Sequence, residues 1–292
     1  MSSTTTAVAD NPARNPSAPS GPSTAAGIRT ERLTFPRVLI SEWIKLRSLR
    51  STWTTLGSIF AVIAAFGVLA AAMASGSVAT DQQRGPGFAA GSPVDTVLSG
   101  TNLALLIVGV LGALIGAREY SSGQIRITLA AVPGRLKVLA GKLLVFVAVA
   151  LPILLAAVLV AFFAGMRILS GADQPTATWS DPGVARAILG NVVYLVGIGV
   201  IGLCLGVLLR SIASSIGVLL GGLLFLPSLA SALLPASWDN VLKYLPANAG
   251  SSFTAIDPEA GMLGAAAGAA AFAAWVVAGI AAAAIALRSR DA

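Results

Sequence analysis

The most informative polar segment of the chain runs from Arg118 to Lys142 and reads R-E-Y-S-S-G-Q-I-R-I-T-L-A-A-V-P-G-R-L-K-V-L-A-G-K. Ile125, Leu129 and Val132 recur at helical spacing, Pro133 and Gly134 interrupt, and Leu136 and Leu139 resume, so the spacing predicts two short amphipathic helices. Arg126, Arg135, Lys137 and Lys142 place positive charge around the apolar stripe. Such a pattern can hold anionic headgroups at a membrane surface or dock on a cytoplasmic partner. It offers little for bond-breaking chemistry. Histidine is absent, which removes the commonest metal ligand and the commonest general base at neutral pH. Cys204 is the only cysteine and lies in an apolar run, so neither a disulfide nor a thiolate metal site forms within one chain. Serines and threonines in the apolar runs have no Asp, Glu or Lys beside them to act as a base. No catalytic residue and no metal ligand is assigned.

A second amphipathic segment lies nearer the N-terminus. Leu39, Trp43, Leu46, Leu49 and Trp53 follow one another at intervals of three or four, while Glu42, Lys45, Arg47 and Ser48 occupy the other faces. Tryptophan favours the headgroup region, and long basic side chains reach back toward water. Trp43, Lys45, Arg47, Arg50 and Trp53 are therefore expected to anchor a helix in the membrane interface.

The elements that must position these segments follow from where charge is missing. No charged residue falls between Arg50 and Asp81, Asp95 and Arg118, Lys142 and Arg167, Arg186 and Arg210, Arg210 and Asp239, or Glu259 and Arg288. A helix needs about 20 apolar residues to cross the hydrocarbon core, and every interval is long enough. The runs are continuous and do not alternate with period two, which makes membrane strands a poor explanation and transmembrane helices a good one. With 56% hydrophobic and 11% charged residues, and a mean hydropathy of +0.85, the chain cannot cover a water-soluble globule of 292 residues. The expected fold is all-α, a polytopic membrane protein. Its spans are about 54–75, 97–117, 143–165, 187–209, 212–234 and 263–287. Residues 36–53 form the interfacial helix, and residues 1–35, rich in Ser, Thr, Ala and Pro, are expected to be a disordered cytoplasmic tail without a signal peptide. Residues 288–292 form a short second tail.

The positive-inside rule places both termini in the cytoplasm, since only Arg84, Arg167, Arg186 and Lys243 then lie outside. The net charge of +7 flanks the spans instead of forming one patch, which argues against nucleic acid. Gly112 with Gly116, Gly202 with Gly206, and Gly217 with Gly221 let helices approach closely, within the chain or between subunits. Pro152 and Pro227 are expected to kink their spans. Gly197, Gly199 and Gly202 spell G-x-G-x-x-G, but inside an apolar run with no acidic residue about 20 positions on, so helix packing explains them better than a dinucleotide.

The run Ser41 to Trp53, S-E-W-I-K-L-R-S-L-R-S-T-W, resembles the N-terminal signature of actinobacterial ABC-2 type transporter permeases. The segment after the second span is similar to that family as well, through Glu119, Gly123, Leu129, Pro133, Arg135 and Lys142. The resemblance covers about residues 37–290 and implies a six-helix bacterial plasma-membrane permease that pairs with a second permease and with ABC ATPase subunits. It implies that Glu119, Gly123, Arg126, Leu129, Pro133, Arg135 and Lys142 belong to a cytoplasmic coupling helix docking on the ATPase. A short re-entrant segment before the last span, marked by Trp238, Lys243, Tyr244 and Pro246, is also implied. No G-x-x-x-x-G-K-[ST] motif occurs, so the chain itself is expected to bind no cofactor, with ATP and Mg on the partner ATPase. The alternatives are a stand-alone secondary transporter or channel, a membrane-embedded enzyme, and a sensing or immunity complex. The near absence of charge in the spans favours a hydrophobic or amphiphilic substrate, with membrane lipid as a further partner.

Overall fold

The computed structural model describes residues 34–76, 92–121, 123, 134–256 and 261–289. The expected tail at 1–35, apart from its last two residues, lies outside them, as do Arg126, Leu129 and Pro133. Among the described residues every regular element is a helix. Six helices are long and apolar enough to cross a membrane. Helix α1 spans Phe35–Ser48 and α2 Arg50–Ala74; a short α3, Pro93–Val97, precedes α4, Gly100–Ser121. Helix α5 covers Arg135–Gly171 and α6 Val184–Leu209. The fifth crossing is composite, made of α7 (Ile212–Leu220), a π turn (Gly221–Phe225) and α8 (Leu226–Leu233). A 3₁₀ turn (Ala236–Trp238), α9 (Asp239–Leu242) and α10 (Pro246–Thr254) lead to α11 (Ala265–Ser289).

Two boundaries differ from expectation. The interfacial helix ends at Ser48, because Leu49 adopts extended backbone (φ −88°, ψ 101°), and Arg50 and Trp53 belong to the first crossing. Neither glycine nor proline marks this break; it is closed by the Trp53 Nε1–H, which donates to the Arg47 carbonyl at 3.2 Å. The second short helix expected around Leu136 and Leu139 is instead the start of α5, whose 37 residues run unbroken through Pro152. At 1.5 Å per residue that helix is about 55 Å long, nearly twice the hydrocarbon thickness and more than one crossing needs.

The fifth crossing shows how the chain accommodates Pro227. Proline donates no N–H and its ring crowds the carbonyl four residues earlier. One turn ahead of it the helix widens, and the Leu226 N–H bonds to the Gly221 carbonyl, five residues back.

Packing centres on α4 and α6. Their backbones cross at the two glycine pairs: a Cβ on Gly112 or Gly116 would clash with the Gly199 or Leu203 carbonyl, and one on Gly202 or Gly206 with the Gly109 or Ala113 carbonyl. Both pairs therefore serve packing within the chain, as do Gly197 and Gly199, which face the Phe272 and Phe146 rings. Gly217 and Gly221 have nothing within 4 Å of the corresponding position. Helix α6 is the most enclosed crossing, 67% buried against 11% for the fifth.

Candidate functional site

Four charged side chains that the sequence separates by up to 100 residues meet at one end of the bundle. Glu42 and Lys45 come from α1, Glu119 from the last turn of α4, and Lys142 from the third turn of α5. Glu42 accepts from the Lys45 ammonium through Oε1 at 2.7 Å and from the Lys142 ammonium through Oε2 at 3.0 Å. Glu119 Oε1 accepts from both lysines at 2.9 Å. The result is a closed ring of alternating charge, each ammonium between two carboxylates.

Local sequence explains the convergence. Val38, Glu42 and Leu46 are the buried positions of α1, spaced by four, so one face turns inward with a carboxylate at its middle. That face crosses α5 at Gly141, where an added Cβ would meet Val38 Cγ1 at 3.1 Å. Glu42, Glu119 and Lys142 are each under a tenth exposed, whereas the Lys45 side chain is 40% exposed. Burial alone would lower the Lys45 pKa, but Glu42 and Glu119 together outweigh it and hold the ammonium above its ordinary value of 10.5. Removing one member would strand charge away from water, whereas the intact ring leaves none uncompensated.

Neighbouring contacts tie the same end together. The Arg135 Nη1–H donates to the Leu287 carbonyl at 3.0 Å, joining the start of α5 to the end of α11. Arg210, the left-handed C-cap of α6 (φ 54°), lies 5.2 Å from the Tyr120 ring centre. Gly123, just beyond α4, takes φ +71°, the left-handed conformation that suits glycine as a helix ends.

Of the residues expected in the coupling segment, Glu119, Arg135 and Lys142 thus flank its two sides, while Arg126, Leu129 and Pro133 lie outside the described residues. Among the expected anchors, Trp43, Arg47, Arg50 and Trp53 are exposed. Lys45 does not snorkel to water alone but joins the ring. Glu42 was expected on a polar face and is buried. Its signal in the sequence is its spacing of four from both Val38 and Leu46, which puts a carboxylate between apolar residues.

The expected re-entrant segment is a chain of short helices. Trp238 ends the 3₁₀ turn, Lys243 caps α9 and donates to Asn240 Oδ1 at 3.1 Å, and Pro246 opens α10. The Tyr244 carbonyl accepts from Trp275 Nε1 at 2.8 Å, which fastens the segment to α11. Tyr194, Phe253 and Phe272 pack edge-on or tilted at 5.0–6.2 Å and hold α10 between α6 and α11.

Sequence reasoning also missed a polar network at the opposite end of the bundle. The Thr101 hydroxyl lies 2.6 Å from the Leu98 carbonyl and 2.9 Å from Asn191 Oδ1, two acceptors for its one proton, and Asn191 Nδ2 donates to the Ala187 carbonyl at 2.9 Å and the Thr254 carbonyl at 3.3 Å. No group of three or more His, Cys, Asp or Glu that could hold a metal ion occurs among the described residues. Compared with protein-family models and with curated proteins, the chain matches none. The regular elements of its described residues are all helices, and six apolar ones among them make it a multi-pass membrane protein.

Proposed function

We propose that the chain is the membrane-spanning permease subunit of an ATP-driven exporter of the ABC-2 type in a bacterial plasma membrane. The observation that carries this reading is the four-charge ring. The two segments on which the family resemblance rests, Ser41–Trp53 and Glu119–Lys142, meet in it through Glu42, Lys45, Glu119 and Lys142. Segments with separate anchoring roles would have no reason to share buried charge.

In this reading residues 122–134 form the contact for a separate ATPase, which holds ATP and Mg. One flank is bound to α1 through the ring and the other to α11 through Arg135. Closure of the ATPase pair then moves α1, α4, α5 and α11 together, and a cavity shared with a second permease changes the side to which it opens. The chain itself is not catalytic, both its termini are cytoplasmic, and its substrate is hydrophobic or amphiphilic.

Affinity purification of the tagged chain from native membranes in mild detergent, with mass identification of what accompanies it, tests the proposal. A soluble protein bearing a Walker A motif is expected, and its recovery should fall on Arg126→Glu while the variant still inserts and elutes as a monodisperse species. Recovery of the chain alone, together with transport driven by an ion gradient in ATP-free vesicles, would replace the exporter by a secondary transporter.

A further inference from the structure

Beside the ring, a cavity of about 620 Å³ opens between α1 and the adjoining ends of α2, α4, α5 and α7. That volume lies within the range of small-molecule sites, about 300–1,000 Å³. Its lining divides into two zones. Leu111, Leu114, Ile115 and Val145 make one zone apolar. The other carries the ring members Glu42, Lys45, Glu119 and Lys142, Arg118, and the first turn of α2 with Ser51 and Thr52.

The polar zone is suited to an anion. Helix α2 starts without a side-chain cap, since its N-cap is Leu49, and its first turn holds no acidic residue. The N–H groups of Arg50 and Ser51 precede the first bond of the helix, which Thr52 N–H makes to the Leu49 carbonyl. Those donors and the positive end of the helix dipole favour negative charge. Thr52 is the independent sign of a missing ligand: it is only 4% exposed, it lines the cavity, and its hydroxyl makes no hydrogen bond among the described residues. Most other hydroxyls of this stretch are satisfied by their own helix, as Thr54 and Thr55 are by the Ser51 carbonyl.

From this geometry we infer that the cavity binds one anionic phospholipid, its phosphate headgroup on Thr52 and the start of α2 and an acyl chain against Leu111, Leu114, Ile115 and Val145. The site lies where the basic ends of the crossings collect, the level at which headgroups of a membrane leaflet sit, and basic pockets between crossings suit such headgroups. A free phosphate would satisfy only the polar zone and leave the apolar one empty. The inference does not depend on the exporter reading.

Native mass spectrometry of the full chain in detergent, titrated with phosphatidylglycerol, phosphatidylcholine of the same acyl chains, or glycerol phosphate, tests it. One phosphatidylglycerol per chain is expected to survive conditions that strip phosphatidylcholine. Ser51→Asp should reinforce the helix start yet repel the headgroup, and Thr52→Val should remove the hydroxyl, each weakening phosphatidylglycerol retention by about fivefold. Leu114→Trp should fill the apolar zone and abolish retention, and if that variant fails to fold the two α2 variants carry the test. Equal retention of both lipids, or wild-type retention by the α2 variants, would reduce the bound lipid to nonspecific annular lipid and overturn the site. Displacement of phosphatidylglycerol by glycerol phosphate at concentrations as low as those of the lipid would overturn the acyl-chain assignment.

Discussion

Breaking the ring at Glu42 is the most direct test of its cohesion. At the 3.0 Å separation of Lys142 and Glu42, an effective dielectric of about 20 makes one contact worth on the order of 5 kcal/mol before desolvation. Glu42→Gln removes two such contacts and recovers the desolvation cost of one carboxylate. It leaves Lys142, 9% exposed, sharing the single carboxylate of Glu119 with Lys45. Stranding buried charge in this way costs about 3–5 kcal/mol. Lys142→Met should cost a similar amount, because Glu42 and Glu119 are then left with Lys45 alone. The pair Glu42→Gln with Lys142→Met removes one charge of each sign and keeps the Lys45–Glu119 contact, so it should be less destabilised than the sum by about 1–3 kcal/mol. Cys204 supplies the assay. It is the only cysteine and is buried, so a thiol-reactive dye reports unfolding during a thermal ramp in detergent. Each single variant should lower the midpoint by on the order of 10 °C. Additivity of the two substitutions to within about 0.5 kcal/mol would refute the coupled ring.

Three further outcomes follow from the packing and charge. Gly202→Leu should prevent accumulation of folded protein, because its side chain would drive into the Gly109 carbonyl; Gly217→Leu should not, and size-exclusion profiles of the two variants compare them directly. Asn191→Leu leaves the Thr254 carbonyl without its Asn191 donor while the Thr101 hydroxyl keeps the Leu98 carbonyl at 2.6 Å, so about 1 kcal/mol should be lost in the same dye assay. Because the folded pKa of Lys45 is raised, its stabilising contribution is fully present below 10.5 and is lost only as pH rises through the higher folded value; the ratio of wild-type to Lys45→Met stability should therefore stay constant from pH 6 to about 9, and a decline within that window would contradict the ion-pair assignment.

The six crossings were legible because a charge-free run long enough to span hydrocarbon has one stable solution, a helix that satisfies its own backbone. The break at Leu49 was hidden, since no residue there forbids helix; it is an extended Leu49 backbone, with the Trp53 indole closing the joint on the Arg47 carbonyl. The start of α5 at Arg135 was hidden for the opposite reason. The pattern around Leu136 and Leu139 is amphipathic in either a separate helix or a continuous one, and only the partners of Val138 and Leu139 decide between them. Pro227 announced a perturbed helix, but not that the disturbance would take the form of a π turn beginning six residues earlier.

The sequence by itself determined the solvent and the number of crossings, because these depend on composition and on spacing along one element, whereas of the three glycine pairs it offered, only Gly112 with Gly116 and Gly202 with Gly206 meet another backbone. Only the tertiary structure decided which charges meet. Lys45 and Glu42 read equally well as a solvated i, i+3 pair, and Glu119 and Lys142 as the ends of a loop. Their closure into a ring requires α1 to cross α5 at Gly141 beside the end of α4, contacts between residues 23 to 100 positions apart. Such contacts arise from the packing of faces and leave no local pattern in the chain.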